Sequence, residues 1–224
     1  MANNKIIRLT AEQQIPTIIS EMQAAAETFH QIGMGVSVFG SARIRPDHPF
    51  YALAVELGSR IAQLGVPLIA GGGPGLMEAA NKGAFEAGGR SIGLNIRLPR
   101  ETHDNRYQTD SLHFEYFNSR KASFFMHSLA YVVLPGGFGT LDEVFEALTL
   151  VQTHKQPMAP IILIGVDFWS GLIDWIRSQL LHHGMISAPD MNLITLTDDL
   201  DVAMQRIEET LMIEPNREPA LPAE

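Results

Sequence analysis

The fold is decided by residues 35–75, which read GVSVFGSARIRPDHPFYALAVELGSRIAQLGVPLIAGGGPG. Two short apolar runs, 35–39 and 66–70, flank a segment with helical spacing of its apolar residues, 51–64. This order predicts a strand, a crossover helix and a second strand, which together form the βαβ unit of a parallel sheet. Each apolar run ends in a loop of small residues. The loops at 40–43 and 71–75 are therefore expected at the same edge of the sheet.

The same alternation continues along the chain. Further strands are predicted at 91–96, 112–117, 131–134, 160–164 and 193–196, and further helices at 76–86, 119–129, 141–152, 168–181 and 199–212. The predicted class is α/β: a Rossmann-like parallel sheet with helices on both faces, in a single domain. An amphipathic helix at about 11–31 places residues 1–32 as a leading segment packed on the core, followed by the Rossmann-like domain at 33–213. The Pro-rich, acidic residues 214–224 are expected to form a flexible tail.

Composition narrows the range of functions. A chain of 224 residues with 46% hydrophobic content can bury one substantial core. A net charge of −9 argues against a nucleic-acid polymer as the partner, because binding the phosphate backbone needs a basic surface. The absence of cysteine excludes a thiol nucleophile and cysteine-based metal sites. No apolar stretch has the length of a signal-peptide core or of a membrane span. No membrane partner is therefore expected, and the cytoplasm is the expected location.

Three loops are candidates for the functional site. They are GSAR at 40–43, GGGPG at 71–75 and PGGFGT at 135–140. Glycine-rich turns that lead into helices present backbone N–H groups and the positive end of the helix dipole, and so can bind a phosphate. Tight packing between strand and helix also selects glycine. Neither a Walker A loop nor a complete GxGxxG fingerprint is present.

The segment PGGFGTLDEVFEAL at 135–148 permits two interpretations of Glu143. Thr140 and Glu143 have the spacing of a capping box, in which both side chains satisfy free N–H groups at the start of a helix. Asp142, Glu143 and Glu146 also form a cluster of like charges, which a bound cation or a cationic transition state would relieve. The second interpretation makes Glu143 a functional residue.

The segment NSRKASFF at 118–125 also permits two interpretations. With Asn118 or Ser119 as the N-cap, Arg120 and Lys121 would lie in the first helical turn, where the dipole disfavours positive charge. The pair is then either a solvated surface feature or a binding site for a phosphate or carboxylate.

Three stretches together resemble the LOG ("Lonely Guy") family: FGSAR at 39–43, GGGPGLMEAANKGA at 71–84 and SRKASFFMHSLAYVVLPGGFGTLDEVFEAL at 119–148. The resemblance covers about residues 33–200. It implies hydrolysis of AMP or cytokinin riboside 5′-monophosphates to free base and ribose 5-phosphate, without a metal or other cofactor. It also implies a homodimer or a higher homo-oligomer, with residues near the dimer interface completing the site.

The resemblance further implies roles for individual residues. Arg120 and Glu143 match the catalytic pair, and Glu146 matches a ribose contact. The phosphate turn matches Gly136, Gly137, Gly139 and Thr140, and the second nucleotide-facing turn matches Gly72, Gly73, Gly75, Met77 and Glu78. Ser41 and Lys121 complete the expected substrate-binding set.

Other interpretations stay open on the sequence alone. The same fold could serve as a nucleotide or cofactor carrier without turnover. A pyridoxal-dependent decarboxylase would need a Schiff-base lysine, and Lys121 is the only lysine beside a motif. The histidines lack metal-ligand spacing, so no metal site is expected. The polar connection at 97–110 either covers the site, lies at a subunit contact or is a solvated loop.

Overall fold

A computed structural model describes residues 9–98 and 104–213 of the chain. These residues form seven strands: β1 (Gly35–Phe39), β2 (Leu68–Ala70), β3 (Ser91–Ile96), β4 (Asp110–Phe114), β5 (Ser128–Val133), β6 (Ile161–Ile164) and β7 (Ile194–Thr197). All seven are parallel and form one sheet in the order β4-β3-β2-β1-β5-β6-β7. The helices are α1 (Ala11–Ile32), α2 (Pro49–Gln63), α3 (Leu76–Glu86), α4 (Phe117–Met126), α5 (Phe138–Gln152), α6 (Val166–Trp175) and α7 (Leu200–Ile213).

Helices cover both faces of this sheet, as its apolar strands require. Along β6, Ile162 and Ile164 pack in a core with α2, α3 and α7. The alternate residues, Ile161 and Leu163, pack in a second core with α1, α4, α5 and α6. Successive side chains of a strand point to opposite faces, so two apolar residues in a row can each be buried against a different layer. The predicted doubly covered α/β sheet is confirmed.

Most predicted elements match the structure within a few residues, and α3, β1 and β3 have the predicted bounds. The predicted helix at 168–181 is α-helical only over Val166–Trp175 and continues as a π-helical turn over Ile176–Leu181. β4 lies at Asp110–Phe114, earlier than the predicted 112–117. It pairs with β3 through five residues in register, from Ile92 with Asp110 to Ile96 with Phe114.

The leading helix α1 packs on the start of α4. Its Ala25 and Phe29 are buried in the second core. The carboxylate of Glu21 accepts a hydrogen bond from the backbone N–H of Glu115 at 2.7 Å and another from the Ser119 hydroxyl. The predicted flexible tail at 214–224 lies outside the described residues. Within the two described ranges, no helix has the length and apolar character needed to cross a bilayer.

Candidate active site

A cavity of about 960 Å³ opens at the carboxyl edge of the sheet. It lies where the strand order reverses, between β1 and β5, which is where open α/β sheets bind their ligands. The loops that follow β1, β2, β3 and β5 all contribute to its wall. The prediction that the three small-residue loops share one edge is confirmed.

Backbone hydrogen bonds join the three loops to one another. The N–H of Ser41 donates to the carbonyl of Pro135 at 3.0 Å, and the carbonyl of Ser41 accepts from the N–H of Leu76 at 3.0 Å. Gly75 has a φ of +70°, and a side chain there would collide with the backbone of Ser41 and Ala42. The second loop therefore needs glycine at this position in order to approach the first loop.

Arg120 lies in α4 with only 7% of its surface exposed. Its Nε donates to the carbonyl of Leu94 at 2.6 Å, and its Nη2 donates to the carbonyl of Gly71 at 3.1 Å. The guanidinium carbon is 5.5 Å from the centre of the Phe124 ring. The side chain lines the cavity and is fixed by the ends of β2 and β3. The interpretation of Arg120 as part of a solvated surface pair is wrong.

Glu143 lines the same cavity from α5. Burial raises the pKa of its carboxyl from 4.5 to about 7. The nearby guanidinium of Arg120 lowers that pKa and offsets part of the effect of burial. Asp142 and Glu146 raise the pKa, and Lys121 lowers it, by smaller amounts. A carboxyl with a pKa close to neutrality can accept or donate a proton under physiological conditions.

The capping box predicted for Thr140 and Glu143 does not form. Helix α5 begins at Phe138, three residues earlier than predicted, and its N-cap is Gly137 with no side-chain cap. The first helical hydrogen bond joins the N–H of Leu141 to the carbonyl of Gly137 at 2.9 Å. Glu143 therefore lies beyond the first turn and cannot cap it.

The N-cap predicted for α4 is also wrong. Helix α4 begins at Phe117 with Tyr116 as its N-cap, so neither Asn118 nor Ser119 has that role. Arg120 and Lys121 consequently lie at the end of the first turn and the start of the second.

Lys121 has its own partners in α5. Its Nζ lies 2.9 Å from a carboxylate oxygen of Asp142 and 2.7 Å from one of Glu146. These ion pairs relieve the repulsion among the acidic residues of α5. Lys121 thus supplies the positive charge that the sequence analysis assigned to a bound cation or a cationic transition state. The contacts also join the helix that contains Arg120 to the helix that contains Glu143.

The glycine-rich turn before α5 directs a helix N-terminus at the cavity. Gly137, Phe138, Gly139 and Thr140 line the cavity, and Phe138 is 92% exposed. Side chains at Gly137 or Gly139 would meet nothing within 4 Å, so a ligand has access to the backbone there. The N–H groups of a first helical turn have no partner inside the helix, and together with the dipole they attract an anion.

The structure brings eight of the predicted site residues to the cavity wall: Ser41, Gly73, Met77, Arg120, Gly137, Gly139, Thr140 and Glu143. It places the other six outside that wall: Gly72, Gly75, Glu78, Lys121, Gly136 and Glu146. Among these six, Glu78 accepts a hydrogen bond from the Tyr51 hydroxyl at 2.9 Å. The carbonyl of Gly72 accepts a hydrogen bond from the Asn105 N–H at 2.8 Å.

Several lining residues were not selected from the sequence: Asn95, Asp104, His113, Phe117 and Phe138. Asn95 is 3% exposed, and a polar residue near the end of a buried strand was a usable signal for it. Asp104 belongs to the polar connection at 97–110, whose Arg97 and Leu98 also line the cavity. The described parts of the connection therefore contribute to the cavity wall. Residues 99–103 lie outside the described ranges.

The strand order and the position of the cavity define a Rossmann-type protein. A family model described as "possible lysine decarboxylase" matches residues 77–207, which is more than half of the chain. The chain belongs to this family, the LOG family, as its resemblance predicted.

Other members of the family are similar to this protein over most of the chain. The cytokinin riboside 5′-monophosphate phosphoribohydrolase of Mycobacterium tuberculosis is 34% identical over 165 residues, which make up 68% of this chain and 82% of that protein. A probable cytokinin riboside 5′-monophosphate phosphoribohydrolase of rice (Oryza sativa subsp. japonica) is 32% identical over 170 residues. That match covers 71% of this chain and 65% of the rice protein.

Solved structures show the same fold. The molybdenum cofactor carrier protein of Chlamydomonas reinhardtii has a TM-score of 0.60 and 24% identity, over 80% of this chain and 99% of that one. The molybdenum cofactor binding protein of Rippkaea orientalis has a TM-score of 0.60 and 24% identity, over 80% of this chain and 98% of that one.

Proposed function

We propose that this protein hydrolyses the N-glycosidic bond of nucleoside 5′-monophosphates, with AMP or cytokinin riboside monophosphates as substrates. The products are a free base and ribose 5-phosphate. The observation that supports this most is the position of Arg120 and Glu143 on the wall of one cavity, beside a helix N-terminus suited to a phosphate. The names of the curated relatives agree with this reaction.

The start of α5 is the proposed phosphate site. The exposed backbone at Gly137 and Gly139 would donate hydrogen bonds to the 5′-phosphate, and the helix dipole would favour its charge. Binding of the phosphate would then orient the ribose relative to the reacting bond. Nucleosides without the phosphate are therefore expected to react poorly.

Glu143 is the proposed group that acts at the sugar. Breaking a ribose–base bond builds positive charge on the ring, and a nearby carboxylate stabilises that charge. With a pKa of about 7, Glu143 can also remove a proton from the attacking water. Arg120 helps to keep the carboxylate ionised and positions the substrate.

Lysine decarboxylation, the activity in the family description, needs a lysine that can form a Schiff base. Among the described residues that line the cavity, none is a lysine. Lys121, the lysine beside the motif, forms ion pairs with Asp142 and Glu146. These contacts favour a structural role for Lys121.

The alternative of a carrier without turnover predicts binding without chemistry. Glu143 argues against it, because even partial burial of a carboxylate costs free energy and has no use in simple anion binding. The deciding experiment incubates the protein with AMP, an N6-isopentenylated AMP and the two matching nucleosides, and follows free base by chromatography. Base release from the monophosphates, but little from the nucleosides, supports the hydrolase. Tight binding without base release supports the carrier.

Assembly is a separate part of the proposal. As the family resemblance implies, we expect a homodimer. Sedimentation of the purified protein tests that expectation independently of the chemistry.

A further inference from the structure

A histidine and an aspartate on the cavity wall have no part in the function proposed above. His113 of β4 and Asp104 of the preceding connection both line the cavity. The Nε2 atom of His113 is 2.6 Å from a carboxylate oxygen of Asp104. The two side chains are 46% and 44% exposed, so they are open to a ligand.

The register of the sheet fixes the direction of His113. It pairs with Asn95 of β3, and paired residues of neighbouring strands present their side chains on the same face. Asn95 also lines the cavity, and its amide donates to the Gln108 side chain at 2.9 Å. His113 therefore projects from a strand that is tied to the rest of the site.

The cavity wall offers few groups that can exchange a proton near neutral pH. Its charged or titratable side chains, among the described residues, are Arg43, Arg97, Asp104, His113, Arg120 and Glu143. Arginine does not release its proton in proteins. If Glu143 stabilises the ribose and accepts the proton of the attacking water, the Asp104–His113 pair is the remaining group on the cavity wall that can give a proton to the departing base.

The contact between the two residues suits that role. Donation from Nε2–H to the carboxylate fixes the imidazole ring and leaves Nδ1 as the nitrogen that can hold a transferable proton. Arg97 and Glu115, which directly follow β3 and β4, form an ion pair with each other at 2.5 Å. They therefore do not compete for His113 as its partner.

We propose that His113, oriented by Asp104, is the acid that protonates the departing base; this rests on the proposed phosphoribohydrolase function. The bond from ribose C1′ to the base nitrogen breaks, and its electron pair goes to the base. The proton on Nδ1 of the imidazolium passes to a ring nitrogen of the base, which leaves neutral. The oxygen of water bonds to C1′, and the proton of that water goes to the carboxylate of Glu143. Exchange with solvent restores both residues.

The test compares His113→Gln and Asp104→Asn with the wild-type protein on two substrates. AMP has a base that needs a proton to leave. Nicotinamide mononucleotide has a pyridinium that leaves as neutral nicotinamide without one. With AMP, His113→Gln should lower kcat by about 100-fold or more, with KM changed by less than about 3-fold, since a positioned acid contributes on this scale. With nicotinamide mononucleotide, kcat should change by less than about 3-fold, because its base leaves without needing a proton from an acid.

The control is His30→Gln, which removes an exposed histidine of α1 outside the cavity wall and should leave both rates unchanged. An equal loss on both substrates, or no loss on AMP, would overturn the assignment and leave the hydrolase proposal intact. If the wild-type protein does not use nicotinamide mononucleotide, chemical rescue on AMP decides. Added imidazole should restore part of the kcat that His113→Gly loses, and the absence of any restoration would overturn the assignment. No base release by the wild-type protein from any monophosphate would remove both proposals.

Discussion

Replacing Glu143 by Gln should make the folded protein more stable above neutral pH. The pKa of Glu143 is about 7 in the folded protein, against an ordinary value of 4.5. Each tenfold change in an acid dissociation constant corresponds to about 1.4 kcal/mol. Ionising this carboxyl in the folded protein therefore costs about 3 kcal/mol more than ionising it in the unfolded chain.

The sign follows from proton binding. A raised pKa means that the folded protein holds this proton more tightly than the unfolded chain does. The contribution to the free energy of unfolding is complete below pH 4.5 and is lost as the pH rises to about 7. Gln does not titrate, so the variant avoids this loss. Relative to the wild type, Glu143→Gln should gain about 3 kcal/mol between about pH 4 and about pH 8.5.

Urea denaturation of both proteins across this pH range measures the effect. The matched control is Glu27→Gln, an exposed position of α1, which should leave the pH dependence of stability unchanged. A capping role for Glu143 would instead make the Gln variant less stable by about 0.5–2 kcal/mol at neutral pH. A difference between wild type and variant that does not change with pH would refute the reasoning.

The same ionisation should affect activity in the opposite direction. If Glu143 removes a proton from water, only its ionised form is active, so kcat/KM should rise as the pH increases through about 7. The wild-type protein would then gain activity over the range in which it loses stability. A kcat/KM that is flat from about pH 5 to about pH 8 would contradict this assignment.

Three further predictions, the second with its own control, concern Arg120, Gly72 and Glu21. Arg120→Lys should lower kcat/KM by about 100-fold or more, since a single ammonium cannot reproduce the two hydrogen bonds of the guanidinium; unchanged steady-state kinetics would exclude a role for Arg120. Gly72→Ala should lower the free energy of unfolding by more than about 2 kcal/mol, because φ is +73° and the new methyl group would collide with Asn95. Gly65→Ala, with φ of +77° and open space around it, isolates the backbone contribution and should lose about 1 kcal/mol in the same urea titration. Glu21→Gln should destabilise the protein by about 1 kcal/mol, because a neutral amide binds the α4 N-terminus less well than a carboxylate; equal melting temperatures would contradict this.

The sheet was predictable because most of its strands are short apolar runs, and glycine directly follows three of them, β1, β2 and β6. β1 is a clear case, since all five residues from Gly35 to Phe39 are buried and the next residue opens the first loop. The position of the cavity followed from the same pattern, since parallel strands bring their carboxyl ends to one edge. Local sequence was sufficient for these features.

The starts of α4 and α5 were not predictable in the same way. The N-cap residues of the two helices, Tyr116 and Gly137, make no side-chain cap, so the usual signal at a helix start is absent. The sequence instead offered plausible caps at Asn118 and Thr140, which the backbone does not use. The predicted starts of the two helices were wrong by only two and three residues. The error at α5 nevertheless affected the interpretation of Glu143.

Contacts between distant segments were beyond the reach of sequence patterns. The Gln108 side chain donates to the carbonyl of Gly72 at 3.0 Å and to the side-chain oxygen of Asn95 at 3.3 Å. These hydrogen bonds connect the loop at 71–75 to β3 and to the segment before β4. The pair of Asp104 and His113 forms across the start of β4. Apart from Gly72, none of these residues belongs to a recognisable sequence motif. The pairing of the edge strand β4 with β3 brings them together.

The central claim is that Glu143, beside Arg120, acts on the bond between ribose and base. The most direct test measures AMP binding by calorimetry and, on the same sample of Glu143→Gln at about pH 7.5, the release of adenine and ribose 5-phosphate. The account predicts a folded protein that binds AMP within about 10-fold of the wild-type affinity and releases base about 100-fold or more slowly. Release at the wild-type rate by this variant would contradict it.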